Sequence, residues 1–217
     1  MSDPKLFIGV ANSQFTVPSA FHWSWERMDK PYEYKKVRYS HNDAIVRNNQ
    51  MVRDFLRSGC DIFVKMDIDQ EYPKRFLSVM VPLALEYKVV GPLIHNKWRD
   101  NGYPPLMCRE NTYPISRPLM DLHKLADKKD MVLMEYSHTN LFIVREVLEK
   151  TEPPWYVAEY RKDGCNFTAN RDFFFIDKIR DAGYETYINL KMEVGHLVEE
   201  VIASRANKIL SDIRRVH

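Results

Sequence analysis

Cysteine is scarce and unpatterned. Cys60, Cys108 and Cys165 are widely spaced, odd in number and form no CxxC pair. That excludes a disulfide scaffold and a structural zinc site, and it fits a reducing compartment. An excess of one charge is also missing. The 32 Lys+Arg stand against 30 Asp+Glu, a net charge of +2, without the cationic surplus usual in nucleic-acid binders, so no nucleic-acid partner is expected. No apolar run can span a bilayer. The most apolar stretch, Phe76 to Ile94, is broken by Pro82, Glu86, Lys88 and Gly91, whereas a transmembrane helix needs about 20 apolar residues in succession. The opening MSDPKLFIGV puts an acid and a proline where a signal peptide has a basic region. A soluble, cytoplasmic protein is expected, with no transmembrane segment and any membrane contact peripheral. There is no internal repeat and no low-complexity tract.

What is present is ordinary globular composition: 217 residues, 45% hydrophobic and 29% charged, enough to bury one full core. Short apolar runs alternate with helix-period segments, the pattern of an α/β fold. Lys5 to Val10 predicts a buried first strand ending in the polar turn Ala11-Asn12-Ser13-Gln14, and Tyr34 to Tyr39 predicts a second. Ile45, Val52, Phe55 and Leu56 mark one face of a helix stopped by Gly59. Cys60 to Met66 predicts the next strand, a helix follows from about Pro73 with a kink at Pro82, and Lys88 to Gly91 is a short strand. Ile94 to Arg117, with four prolines in or beside it and the aromatics Trp98, Tyr103 and Tyr113, reads as a long functional loop. Met131 to Tyr136 predicts a strand, Leu141 to Lys150 a helix, Asp172 to Ala182 a helix stopped by Gly183, Thr186 to Leu190 a last strand, and Leu197 to Arg214 an amphipathic helix.

The chemistry centres on Asp67-Ile68-Asp69, the one DxD in the chain. Carboxylates two residues apart at the end of a strand point the same way, and open α/β sheets bind ligands beyond those ends. Like charges so close call for a cation, and hard oxygen ligands suit Mg²⁺ or Mn²⁺. Acids are common enough that about one to three such triplets arise by chance in a chain this long, so a solvated turn is the competing reading. His196, just past the last predicted strand, reads equally as a helix-start or core histidine. Asp172 at a helix start is favourably placed on the helix dipole whether or not it has a further role.

The motifs acquire meaning together. Arg47-Asn48 at a helix start, the apolar strand into Asp67-Ile68-Asp69, and Pro73 resemble the nucleotide half of a GT-A glycosyltransferase. Asp172, Phe175, Arg180, Asp181-Ala182-Gly183-Tyr184 and Val194-Gly195-His196 are similar, in order, to the "ED…F…R.AG…VGH" pattern of family-two-like members. Leu141 to Lys150 with Pro154-Trp155-Tyr156 resembles the segment "LIRREVLEK…PPWF". The resemblance runs from about residue 5 to 197. It implies a single GT-A, Rossmann-like domain with a mixed, mainly parallel central sheet flanked by helices. The nucleotide-binding half would cover about 1–92, the acceptor half about 93–197, and a C-terminal helix 198–217.

The resemblance further implies a hexosyltransferase-type enzyme that moves a sugar from a nucleotide-diphosphate donor, UDP-sugar favoured, to a carbohydrate or other hydroxyl acceptor. Asp69 would bind the Mn²⁺ or Mg²⁺ that holds the donor diphosphate. His196 would complete the metal shell, and Asp67, also a candidate metal residue, would contact the ribose or a metal-bound water. Val10, Ala11, Asn12, Ser13, Arg47 and Ile68 would line the donor, and Asp172 would be the general base of an inverting displacement. Two departures bear on the acceptor side: the family's "ED" is Arg171-Asp172, and a glycine-rich segment is replaced by Ser137-His138-Thr139. Trp98, His138 and Arg171 are the acceptor candidates. Two alternatives stay open: a haloacid-dehalogenase-like phosphatase, which also places DxD after an apolar strand, and a non-catalytic nucleotide-sugar-binding module.

Overall fold

The structure is a computed structural model and describes residues 3–12, 17–94, 107–108, 130–134, 136–137, 140–157, 159–160, 167–169 and 171–197. The apolar first run forms β1 (Leu6–Ala11), buried at all six positions, as expected of a strand covered on both faces. Beside it lies β2 (Tyr34–Tyr39), mostly exposed and carrying Lys35, Lys36 and Arg38. Charges there suit a sheet edge, where they discourage pairing with another chain. On the other side of β1 is β3 (Ile62–Asp67), in parallel register with Ala11 opposite Asp67.

The helix between them, α2 (Ala44–Ser58), starts where the Asp43 carboxylate accepts from the amides of Ile45 and Val46 and stops at Gly59 with φ 73°. Both signals are local, and the Gly59 stop matches its sequence expectation. Between β1 and β2 lies α1 (Ser19–Arg27), and after β3 come β4 (Gln70–Glu71), α3 (Phe76–Tyr87) and β5 (Val89–Ile94). Then come β6 (Met107–Cys108), β7 (Met131–Met134), β8 (Tyr136–Ser137) and β9 (Phe142–Val144). The last elements are α4 (Arg145–Lys150), β10 (Glu159–Tyr160), β11 (Phe167–Ala169), α5 (Arg171–Asp181) and β12 (Thr186–His196). The main sheet has eight strands in the order β2-β1-β3-β9-β5-β12-β4, with β7 also paired to β12. Strands β1, β2, β3, β5 and β12 run one way; β4, β7 and β9 oppose them. The sheet is therefore mixed and mainly parallel. Two small ribbons, β6–β8 and β10–β11, stand apart from it.

Two expectations are corrected. Leu141 to Lys150 is not one helix: Phe142–Val144 is a strand wedged antiparallel between β3 and β5, and the helix begins at Arg145. A run Leu-Phe-Ile-Val carries no helical periodicity of its own, and the slot between two parallel strands gives its backbone hydrogen-bond partners on both sides. The last strand does not end at Leu190. The Asn189 side chain accepts from the amides of Lys191 and Met192 (2.8 and 3.0 Å), bridging a register shift between Asn189 and Glu193. The strand therefore continues to His196, which is its final residue and not a residue beyond it. Helix α1 and strand β4 had no sequence expectation, and α3 runs through Pro82. The predicted loop falls outside the described residues except for Ile94 and Met107–Cys108, and the C-terminal helix except for Leu197. Among the described residues, no helix is long and apolar enough to cross a membrane.

One buried core draws residues from Leu6 in β1 to Val194 in β12. Phe7, Phe55 and Phe63 pack mutually, and Tyr156 stacks on Phe175 of α5 at 4.4 Å. Asn49 of α2 reaches across the chain: its Oδ1 accepts from the amides of Trp155 and Tyr156 (2.9 and 3.1 Å), and its Nδ2 donates to the Tyr156 carbonyl. That clasp anchors the segment on which α5 rests.

Candidate active site at the ends of the central strands

The carboxyl ends of β1 and β3 converge on the DxD. Ile68 donates its amide to the Ala11 carbonyl (3.3 Å), and Asn12 donates to that of Tyr39 (2.9 Å). Val10, Ala11, Asn12 and Ile68 are all buried. Ser13 lies outside the described residues. Arg47, also buried, donates from Nη1 to the His41 carbonyl (2.7 Å).

Far along the chain, β12 brings in a histidine. Its last two residues pair with β4, Gly195 opposite Glu71 and His196 opposite Gln70. The Leu197 amide donates to the Asp69 carbonyl (2.7 Å). His196 Nε2 consequently stands 3.3 Å from Asp69 Oδ2, although 127 residues separate the two. The imidazole is largely buried and the carboxylate one-third exposed, so the pair has an open side.

The two acids of the DxD have different partners. Asp67 is held by Lys65 of its own strand, whose Nζ lies 3.0 Å from each carboxylate oxygen. Below them the hydroxyl of Tyr72 accepts from the Asp67 amide (2.8 Å) and faces the Asp67 carbonyl (3.0 Å), Gln70 Oε1 (2.9 Å) and Asn140 Oδ1 (3.2 Å). Its one proton serves three acceptors. Asn140 Nδ2 donates to the same Gln70 oxygen. Burial, then the charge of Asp67, pushes the Tyr72 hydroxyl well above the ordinary tyrosine range, so it remains a neutral hydroxyl. This polar knot fixes the turn that carries both aspartates.

Sequence reasoning missed Lys65, Gln70, Tyr72 and Asn140. A lysine inside an apolar strand, two residues before an acid, was a usable signal. Nothing local marked the other three. Asp172 stands half-buried in the first turn of α5, on a different element from the Asp69–His196 pair. Arg171 is the first residue of that helix, and Trp98 and His138 lie outside the described residues.

No family model and no curated protein matches the sequence. Solved structures do match. A197 from STIV superposes with a TM-score of 0.58 at 18% identity, over 91% of this chain and 87% of that one. GalNAc-T7, crystallised with UDP, GalNAc and Mn²⁺, gives 0.61 at 12% identity over 90% of this chain. S. aureus TarS 1–349 in complex with UDP-GlcNAc gives 0.51 at 13% identity, also over 90%. The chain has the GT-A fold. It spans 44% of the GalNAc-T7 chain and 59% of the TarS chain, so it corresponds to part of those proteins. Open α/β sheets bind ligands in the crevice beyond the carboxyl ends of their strands, and the DxD lies at that end of β3.

The donor chemistry of that meeting point fits a divalent cation. A carboxylate oxygen and an imidazole nitrogen face each other at 3.3 Å, and both are good ligands for Mn²⁺. Among the described residues, His, Cys, Asp and Glu form no three-membered metal cluster. Asp69 and His196 are the two described residues whose donor atoms could hold such an ion together.

Proposed function

We propose that this protein transfers a sugar from a nucleotide-diphosphate donor, with UDP-sugar favoured, to a hydroxyl acceptor, and inverts the anomeric centre. The observation that carries the reading is the Asp69–His196 pair, which joins the second acid of the DxD to a residue 127 positions further along the chain. The solved neighbours with UDP, GalNAc and Mn²⁺ or with UDP-GlcNAc support the donor class.

Asp69 and His196 would hold the cation, Mn²⁺ or Mg²⁺. Bound there, it supplies neutralisation of the charge that builds on the leaving diphosphate. Val10, Ala11, Asn12, Ser13, Arg47 and Ile68 line the donor, and Asp67 accepts hydrogen bonds from it. Asp172 takes the proton of the attacking hydroxyl, a contribution of about 10²–10⁴-fold. Arg171, His138 and Trp98 are the acceptor contacts.

Calorimetric titration of UDP, GDP and dTDP, with Mn²⁺ and again with chelator, tests this directly. The expected result is binding of one nucleotide, UDP, only with metal, and loss of that binding in Asp69→Ala and His196→Ala. Metal-dependent affinity unchanged in Asp69→Ala removes Asp69 from the metal site. If no nucleotide binds under either condition, the transferase reading fails, and phosphate release becomes the next assay.

A further inference from the structure

Asn49 of α2 uses every hydrogen-bond position of its amide. Oδ1 accepts from the amides of Trp155 (2.9 Å) and Tyr156 (3.1 Å), and Nδ2 donates to the carbonyls of Tyr156 (2.8 Å) and Ile45 (3.0 Å). A side-chain amide has two acceptor lone pairs and two donor hydrogens, so none is left over. The bond to Ile45 fixes the group to its own helix, and the other three grip residues 106 and 107 positions further along. Pro153 and Pro154 have no N–H, so Trp155 and Tyr156 carry the first backbone donors after Glu152. The same segment also holds α5. Lys178 donates to the carbonyls of Glu152 (2.6 Å) and Pro154 (3.1 Å), and the buried ring of Phe175 stacks on that of Tyr156 with centroids 4.4 Å apart. Asp172 lies one turn before Phe175 on α5, and Arg47 lies two residues before Asn49 on α2. Continuous packed and hydrogen-bonded contacts between rigid elements carry a displacement from one to the next. Here they join the helix of a nucleotide-side candidate to the helix of the candidate base.

We propose that Asn49 is a positioning residue for Asp172: by fixing Trp155 and Tyr156 to α2, it sets the start of α5 relative to the nucleotide side of the crevice. The inference rests on the reading above in which Asp172 takes the proton of the attacking hydroxyl. A base must stand within hydrogen-bond reach of that proton, and a misplacement of about 1 Å can cost about 10²-fold in rate. Without the Asn49 amide, Tyr156 and the ring it presents to Phe175 lose this tie to α2. The DxD turn keeps its own bonds to Tyr72. The loss therefore falls on the chemical step and not on nucleotide binding.

The test uses the full chain with Mn²⁺ and follows UDP release to water from UDP-GlcNAc, UDP-GalNAc and UDP-glucose. Water stands in for the acceptor: its oxygen bonds to the anomeric carbon, the bond from that carbon to the diphosphate breaks, and Asp172 takes the proton. With the sugar nucleotide that wild type hydrolyses fastest, Asn49→Ala should lower kcat by about tenfold or more and keep KM within about threefold. On the Asp172→Asn background the same substitution should change kcat by less than about threefold, because no base remains to be misplaced; independent losses would multiply instead. A kcat within about threefold of wild type in Asn49→Ala overturns the inference. So does a loss that multiplies in full with that of Asp172→Asn, the mark of general destabilisation. If Asn49→Ala does not fold, Asn49→Asp replaces it, since it keeps both accepted bonds and loses both donated ones. A loss of about threefold or more in kcat at unchanged KM is then expected, and no loss overturns the inference. Wild type that hydrolyses a sugar nucleotide while Asn49→Ala matches it sinks the role of Asn49 alone. Wild type that hydrolyses none of the three, or Asp172→Asn that keeps the wild-type kcat, sinks the reading beneath it, and the inference falls with that reading.

Discussion

Replacing Tyr72 by Phe isolates one hydroxyl. The ring is 2% exposed, and its packing against Phe21 (5.9 Å) and Phe76 (4.9 Å) is kept by a phenylalanine. What disappears is the group that accepts the Asp67 amide and donates among the Asp67 carbonyl, Gln70 and Asn140. Gln70 Oε1 retains its bond from Asn140 Nδ2, so the acceptor side loses little. The Asp67 amide loses the partner it has in this structure, and a buried donor left unmade costs about 1–3 kcal/mol. We expect a loss of about 2 kcal/mol, or about 4–8 °C in Tm for a domain of this size. Urea denaturation with an unchanged m-value measures it. A change below about 0.5 kcal/mol, within the scatter of ordinary surface substitutions, refutes the idea that this hydroxyl secures the DxD turn.

Two further substitutions probe the fold and the chemistry. At Gly91 of β5 a Cβ would lie 2.8 Å from Ile188 Cδ1 and 3.3 Å from Leu141 Cδ2. Gly91→Ala should therefore cost about 1–3 kcal/mol through overpacking, and adding Ile188→Val, which removes the offending methyl, should recover part of it; equal stability of Gly91→Ala and wild type in thermal melts contradicts the contact. Asp172→Asn should keep Mn²⁺-dependent UDP binding while lowering transfer by about 10²–10⁴-fold, and transfer rates that persist would remove Asp172 as the base.

Several features were legible because their causes are local. The strand at Tyr34–Tyr39 matches its sequence expectation residue for residue. Helix α2 ends where Gly59 adopts the left-handed backbone, and Gly183, with φ 88°, follows α5 in the same way. Buried β1 announces itself as an apolar run, and β3 as an apolar run interrupted by Lys65 before its terminal Asp67. Helix α1 left no comparable signal: its N-cap, Pro18, makes no side-chain capping bond, and its first turn holds no acid. The long-range resemblance had grouped Asp69 with His196, and the structure brings those two side chains together. It also reveals Lys65 on Asp67, which the resemblance did not contain.

The sequence by itself determined that the chain is α/β, the outlines of β1, β2, α2, β3 and α5, and that two acids cap a buried strand. Hydrophobic period, caps and turn residues act within a few positions of one another, so they can be read in order along the chain. Only the tertiary structure decided that Phe142–Val144 becomes a strand, because its hydrogen-bond partners lie on β3 and β5. Only it decided that β12 runs on past Asn189 to set His196 beside Asp69, and that Tyr72, Gln70 and Asn140 meet beneath the turn. Those contacts depend on strand order and register, and each joins residues whose local sequence is satisfied without the other.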